Sequence, residues 1–233
     1  MVHHQLMDDS PFADEPYAAA SGPPSFDQEA SPNQQLPGSV AQPVANNTPK
    51  PIRLLLVAND LTLSPADPEL QQAAARADLV ISLGGVNLDA LKQVMMPQTQ
   101  GIALLGPRDP VQVPEPFKVV HGSGFTFRQW KIAGISGGQR AGEQSGMYLS
   151  DSESISILDA LDPCDIFLSH SYPAALDGVN KSLAMPSLDE YIRSKVPSIH
   201  FYAHPSEIVV GGDDDTLSVG VCGYFQPDAI EYI

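Results

Sequence analysis

A layered α/β domain preceded by a separate acidic, proline-rich tail is the fold class this sequence predicts, and three observations predict it. The composition changes near residue 50. Beyond that point short apolar runs recur between Gly, Pro and Asp turns, continuous rather than alternating, as strands buried on both faces require. Stretches with helix-start and helix-stop signals fall between those runs, so the sheets they form should be covered by helices.

The first fifty residues hold eight prolines, six acidic residues and a single basic one, Lys50, with many Gln, Asn, Ser and Ala between them. Such a segment buries too little apolar surface to offset its chain entropy, and the expectation for 1–50 is disorder. Two similar stretches stand inside it, 10–15 and 24–29, each a Phe beside Pro and Ser followed by acidic residues. Phe12 and Phe26 are therefore candidate docking motifs whose ring fills a partner's pocket, against the alternative of ordinary linker. The adjacent His3 and His4 are too short a tract to indicate a metal site.

From Pro51 the domain 51–233 begins. Runs at 52–58, 79–83, 102–105, 131–135, 165–169, 199–203 and 217–222 read as buried strands. Helices are expected over 67–77, where Pro68 falls in the first turn, and over 88–95, 152–161 and 187–195, the third opening on acidic residues and the last closing on basic ones. Between 125 and 135, Thr126, Arg128 and Lys131 alternate with apolar neighbours, which predicts a hairpin.

The 233 residues carry a formal charge of −16, and the domain alone has 11 basic and 22 acidic residues, or −11. Nucleic-acid affinity comes mainly from Lys and Arg neutralising phosphates, so this balance argues against a large nucleic-acid contact and suits a protein partner. Cys164 and Cys222 lie in apolar runs and read as reduced, buried thiols rather than a secreted framework. No apolar run approaches the roughly 18 residues of a membrane span, and no basic and apolar leader opens the chain. These features predict an intracellular, cytoplasmic protein, with a nuclear location left open.

In layered α/β proteins ligands sit beyond the carboxyl ends of the strands. The residues there are Asn59-Asp60-Leu61-Thr62, Gly84-Gly85-Val86-Asn87, Gly106-Pro107-Arg108-Asp109, Ser169-His170-Ser171 and Ala203-His204-Pro205-Ser206. In order and spacing this series resembles the calcineurin-like metallophosphoesterases, whose signature is DxH, GD, GNH[DE], a lone H and GHxH. The resemblance spans roughly 52–233 and implies a four-layer α/β/β/α sandwich. Segments 131–137 and 164–173, with 201–204, look like the RNA lariat debranching enzyme and its spliceosome-associated relatives, a subfamily that includes members with and without an intact metal site.

Two-metal phosphoesterases hold a pair of divalent ions roughly 3.5–4 Å apart, polarise the phosphoryl group and generate hydroxide at neutral pH. Carried over residue by residue, Asp60 matches the first aspartate, and His170 and His204 match two ligand histidines. Thr62, Gly85, Pro107, Arg108 and Ser206 stand where a histidine, the bridging aspartate, the asparagine, the catalytic histidine and the last histidine would be. Gly85 has no side chain to bridge two cations, and Pro107 offers neither a side-chain oxygen nor an N–H. Hydroxyls replace imidazole poorly around transition metals. Arg108 cannot deprotonate and repels cations; it either grips an anion, a phosphate or a partner's carboxylate, or pairs with Asp109 or Asp60.

The resemblance therefore implies a degenerate member. Its expected role is a catalytically inactive protein-binding or scaffold module, within a multi-subunit complex, as metal-free members of the superfamily serve. The competing expectation is a phosphodiester or nucleotide hydrolase with one ion on Asp60, His170 and His204. No cofactor is expected, or at most one divalent ion, Mn, Zn or Fe. His121 and His200 fall outside the motif and read as structural. Residues 134–138 are glycine-rich but lack the Lys-Ser/Thr of a phosphate loop, and Asp213-Asp214-Asp215 lacks calcium-loop spacing, so both read as turns.

Overall fold

A computed structural model describes residues 51–140, 146–176, 180–212, 215–227 and 230. The expectations for 1–50, among them Phe12, Phe26, His3 and His4, and for Asp213 and Asp214, lie outside the described residues.

Alternation along the first strand builds the layers. In β1 (Leu54–Ala58), Leu54, Leu56 and Ala58 point to one face and Leu55 and Val57 to the other, all five buried. β2 (Leu79–Ser82), β3 (Gln100–Ala103) and β4 (Phe117–Val119) follow β1 in parallel. Between them run α1 (Pro68–Arg76) and α2 (Leu88–Val94). Asp67 starts α1 by accepting from the N–H groups of Glu69 and Leu70, with Pro68 in the first turn, and Asn87 starts α2 by accepting from Ala90 N–H at 3.1 Å. Leu70, Ala73, Ala74 and Leu91 from these helices pack on Leu55, Val57 and Val80, closing the outer face of this sheet.

A second sheet grows from the hairpin of β5 (Ser123–Phe127) and β6 (Trp130–Ile135), joined by the two-residue turn Arg128-Gln129. After the short pair β7 (Gly138–Gln139) and β8 (Tyr148–Leu149) comes α3 (Asp151–Asp159), then β9 (Ile166–Ser169), α4 (Pro186–Lys195), β10 (Ile199–Ala203), β11 (Val209–Gly212), β12 (Leu217–Val221) and β13 (Gly223–Phe225). Ser150 and Glu153 form a reciprocal capping box ahead of α3, each side chain engaging the other's backbone N–H. The second sheet has the order β11-β12-β10-β9-β6-β5, parallel through its four central strands. β13 crosses over to pair antiparallel with β1, giving the first sheet the order β13-β1-β2-β3-β4.

The two sheets meet face to face. Leu54, Leu56, Ile81 and Ile102 from one and Ile132, Ile166, Leu168 and Phe201 from the other share a single buried cluster. Phe167, Leu158, Leu188 and Tyr191 form the outer cluster beneath α3 and α4. The order of layers is therefore α/β/β/α, as expected. Directional links add to the apolar contact, one of them at Ser136. Ser136, fully buried after β6, donates to Val120 O at 2.8 Å and accepts from Leu105 N–H at 3.0 Å, both in the first sheet's connections.

Two details differ from expectation. Cys164 is buried but lies just before β9, and Cys222 is only half-buried, between β12 and β13; both are free thiols. Arg128, on the hairpin turn, has φ +55, a left-handed conformation that suits glycine and costs other residues roughly 1–2 kcal/mol.

Candidate functional site

The parallel strands of both sheets end on the same side, and their following turns converge there. β1 leads into Asn59, which takes φ +51 and turns the chain sharply. Its backbone N–H donates to Gly84 O at 3.0 Å, and its side-chain amide donates to His204 O at 2.9 Å, so one asparagine ties the turn after β1 to those after β2 and β10. The sequence reading gave Asn59 no role. The available signal was its type, since Asn tolerates the left-handed region better than other non-glycine residues.

Asp60, half-buried, uses Oδ1 to accept from Thr62 N–H and Thr62 hydroxyl, both at 3.1 Å, a local turn closed on itself. Thr62, standing where a histidine was sought, thus binds the retained aspartate.

The turn after β2 is a pair of left-handed glycines, Gly84 at φ +98 and Gly85 at φ +68. A Cβ on Gly84 would lie 2.5 Å from His170 Nδ1, and one on Gly85 would lie 2.8 Å from Asn59 Oδ1. Space for a bridging carboxylate at Gly85 is already taken by Asn59.

Asp109 is the organising group that sequence reasoning passed over as a ligand. Its Oδ2 accepts from Gly85 N–H and from Gly106 N–H, both at 2.7 Å, lashing the β2 turn to the β3 turn. These lengths are those of charge-assisted bonds. Its own N–H returns to Gly106 O at 3.2 Å, closing the turn that contains Pro107 and Arg108. The signal lay in that four-residue spacing, Gly106 to Asp109. Arg108 is exposed and, among the described residues, makes no ion pair; neither Asp109 nor Asp60 is its partner.

The two retained histidines differ. His170 Nδ1 sits 2.8 Å from Leu83 O, and since a carbonyl only accepts, Nδ1 carries the proton and Nε2 keeps its lone pair. Burial pushes its pKa below the usual histidine value, against smaller opposing effects of that hydrogen bond and of Asp109, so the ring is neutral at pH 7. His204 is buried, and its Nδ1 accepts from Glu207 N–H at 3.3 Å. That N–H occupies the Nδ1 lone pair. Ser206 is exposed beside it.

A two-ion centre does not fit these residues. The bridging and amide ligands are absent, Asp60 is engaged by Thr62, and His204 by Glu207. Among the described residues no three His, Cys, Asp or Glu side chains stand close enough to hold an ion. His170 alone has the arrangement of a metal-ligating imidazole, one nitrogen donating to a backbone carbonyl and the other open.

The two other described histidines, His200 and His121, are engaged by neighbouring side chains or backbone. His200 is fully buried between Phe167 and Tyr202, with ring centroids 5.3 and 5.4 Å away, and contacts Ser169 Oγ at 2.8 Å. Burial drives its pKa down to about 3. His121 accepts from Ser136 N–H at 3.3 Å, and burial lowers its pKa as well.

No protein-family model matches the sequence, and no curated protein matches it. Solved structures do resemble it. The TT1561 protein of Thermus thermophilus shares 17% identity over 75% of this chain and 90% of its own, with a TM-score of 0.55. A second solved protein shares 13% identity over 76% of this chain and 95% of that one, also at 0.55. A conserved protein of Streptococcus pneumoniae TIGR4, described as a predicted phosphoesterase, aligns over 75% of this chain and 74% of its own at 10% identity, with a TM-score of 0.36, too low to bear on function. At these identities the likeness is one of fold alone, a layered α/β sandwich. Among the described residues no helix is long and apolar enough to cross a membrane.

Proposed function

We propose that this chain is a degenerate calcineurin-like phosphoesterase-fold protein, related to the debranching-enzyme branch, that has exchanged two-metal hydrolysis for a protein-binding or scaffold role within an intracellular complex. The observation that carries this reading is the Asp109 carboxylate. It accepts from the amides of Gly85 and Gly106, so the carboxylate at the junction of these two turns is committed to backbone donors rather than left free for a cation. Thr62 on Asp60 and Glu207 on His204 act in the same sense. Arg108 adds a fixed positive charge at the rim, which favours a carboxylate or phosphate over a divalent ion.

A second reading has one observation in its favour. His170 presents a free Nε2 lone pair, so a single-metal phosphoesterase on Asp60, His170 and His204 would have one ligand ready. It would also require Asp60 to leave Thr62 and His204 to release Glu207 N–H, which places it behind the scaffold reading. The deciding experiment measures manganese content and hydrolysis of bis(4-nitrophenyl) phosphate by the full chain. Turnover at background and no more than one bound ion are expected. Manganese-dependent turnover that disappears in Asp60→Ala or His204→Ala would establish the enzyme instead.

A further inference from the structure

Away from the strand ends, the sandwich has an open side. β4 is the outermost strand of the first sheet and β5 of the second, and they follow one another in the chain, so the two free edges lie side by side. Between them runs a groove of about 680 Å³. Its floor is apolar, formed by Phe117, which is buried, and Phe125, which packs on the inter-sheet core, while Val119 stands 39% exposed on its wall. Edge strands direct alternate N–H and C=O groups outward, and natural proteins usually cover or charge such edges.

At one end the groove runs into a smaller pocket of about 280 Å³, residues 98–100 lining both. Arg53, Arg76 and Arg128 line that pocket around one carboxylate, Asp78. Arg128 Nη2 lies 3.0 Å and Arg53 Nη2 lies 3.3 Å from Asp78 Oδ1, which fixes the two guanidiniums while both side chains stay about half exposed. Three arginines and one aspartate leave a local charge of +2 on a domain whose total is −11. Arg128 reaches this position from a left-handed backbone that suits glycine, a local preference overridden at a place where its charge is used.

The geometry points to the β4–β5 edge groove as the docking site for an extended acidic segment of a partner protein, which adds a strand along β5, sets apolar side chains over Phe117 and Phe125, and places acidic side chains at one end on Arg53, Arg76 and Arg128. This deepens the scaffold reading and rests on it, by naming a surface and the chemistry of what it holds. Strand addition supplies main-chain hydrogen bonds and the arginines supply direction and selectivity. A nucleic acid has no ladder of amides for a sheet edge, and its phosphates would face the acidic remainder of the surface. A second copy pairing the full length of β5 on β5 would bring two chains of −16 together and set each Arg128 opposite Gly122, which offers no carboxylate.

The test selects random dodecapeptides displayed on phage against the full chain, then measures synthetic versions of the enriched peptides by fluorescence polarisation. Enriched peptides should join an alternating β-branched or aromatic stretch to two or more acidic residues at one end. Their affinity should fall at least tenfold between 0.1 and 0.5 M NaCl, at least tenfold in Arg76→Glu, and by a similar factor in Arg128→Gly, a variant suited to φ +55 whose loss of binding cannot come from a misfolded turn. Enrichment of peptides without acidic residues, no enrichment at all, or affinity unchanged in both variants would overturn the inference. So would binding of a single-stranded 12-nucleotide RNA through the same arginines, or a dimer by light scattering that Thr126→Pro dissociates. Hydrolysis of the phosphodiester with manganese, alongside intact peptide binding, would remove the scaffold reading alone, because the groove lies apart from the strand-end turns.

Discussion

The turns beyond the strands and the groove along β5 are built from the same kinds of residue used in opposite ways. At the strand ends, Asp109 and Asn59 have committed polar groups to neighbouring loops, and Asp60 and His204 to residues of their own turns. Along the groove, Arg53 and Arg128 are held by one shared carboxylate with their outer faces in water, and the outer side of β5 pairs with no described strand. A region whose polar groups are satisfied internally contributes rigidity, whereas one whose groups are oriented but still exposed can contribute recognition. Chemically suggestive residues are therefore poor guides to function until their partners are known.

Substitutions can break that contrast. The largest effect is expected at Gly84→Ala, where the new methyl would meet His170 Nδ1 at 2.5 Å and Gly106 N at 2.7 Å on a backbone at φ +98. Strain and overpacking together should cost about 3 kcal/mol or more, read as a lower urea midpoint at unchanged slope. A loss below about 1 kcal/mol would show that the strand-end turns are looser than their hydrogen bonds suggest.

Acidification comes next. The unfolded chain protonates His200 near pH 6.5, while the folded chain keeps it neutral down to about 3. Its contribution is complete above pH 6.5 and is lost as the pH falls toward 3, because the unfolded state binds more protons in that window. Between pH 7 and 5 this amounts to about 2 kcal/mol, and His170 and His121 act in the same direction. Asp78 behaves differently. Burial alone would raise its pKa, but hydrogen bonds from Arg53 and the charge of Arg128 outweigh that and hold it below 3.8, so its contribution persists until the pH falls below about 4. Chemical denaturation at pH 7, 6 and 5 should show the decline, and His200→Gln should flatten it; an unchanged slope in that variant would exclude His200 as its source.

The smallest effect is expected at Arg108→Ala, within about 0.5 kcal/mol by the same measurement, since this side chain makes no ion pair with a described residue. A loss well above about 1 kcal/mol would mean that Arg108 belongs with the satisfied strand-end groups.

The sheets and helices were largely legible because their signals are local. The run at 79–83 became Leu79–Ser82, the run at 199–203 became Ile199–Ala203, and Asp67 with Pro68 announced α1. What escaped was short or lay at an edge. Phe117–Val119 and Gly223–Phe225 are three residues each, too brief for periodicity, and Val209–Gly212 ends in two glycines, a residue depleted in strands. The third helix starts at Asp151 rather than 152 because the capping box begins at Ser150, a signal present in the sequence and not used. At the site, residue types could be aligned with a motif, but the bonds of Asp109 to Gly85 and of Asn59 to His204 cross 24 and 145 positions, and no local pattern encodes such distances.

The buried Ser136 has a mechanical consequence. Two greasy layers pressed together resist separation but slide with little resistance, since dispersion forces have no preferred direction. A hydroxyl that donates to Val120 and accepts from Leu105 works as a shear pin between the layers, together with the bonds of Gly137 N–H to Leu105 O, Asn59 to His204 O and His170 to Leu83 O. That pin sits next to the strand-end turns, immediately after β6, and adds to the bonds of Asn59 and Asp109 that align them. Lateral force on the sandwich would load these few polar bonds before it loaded the broad apolar interface around them.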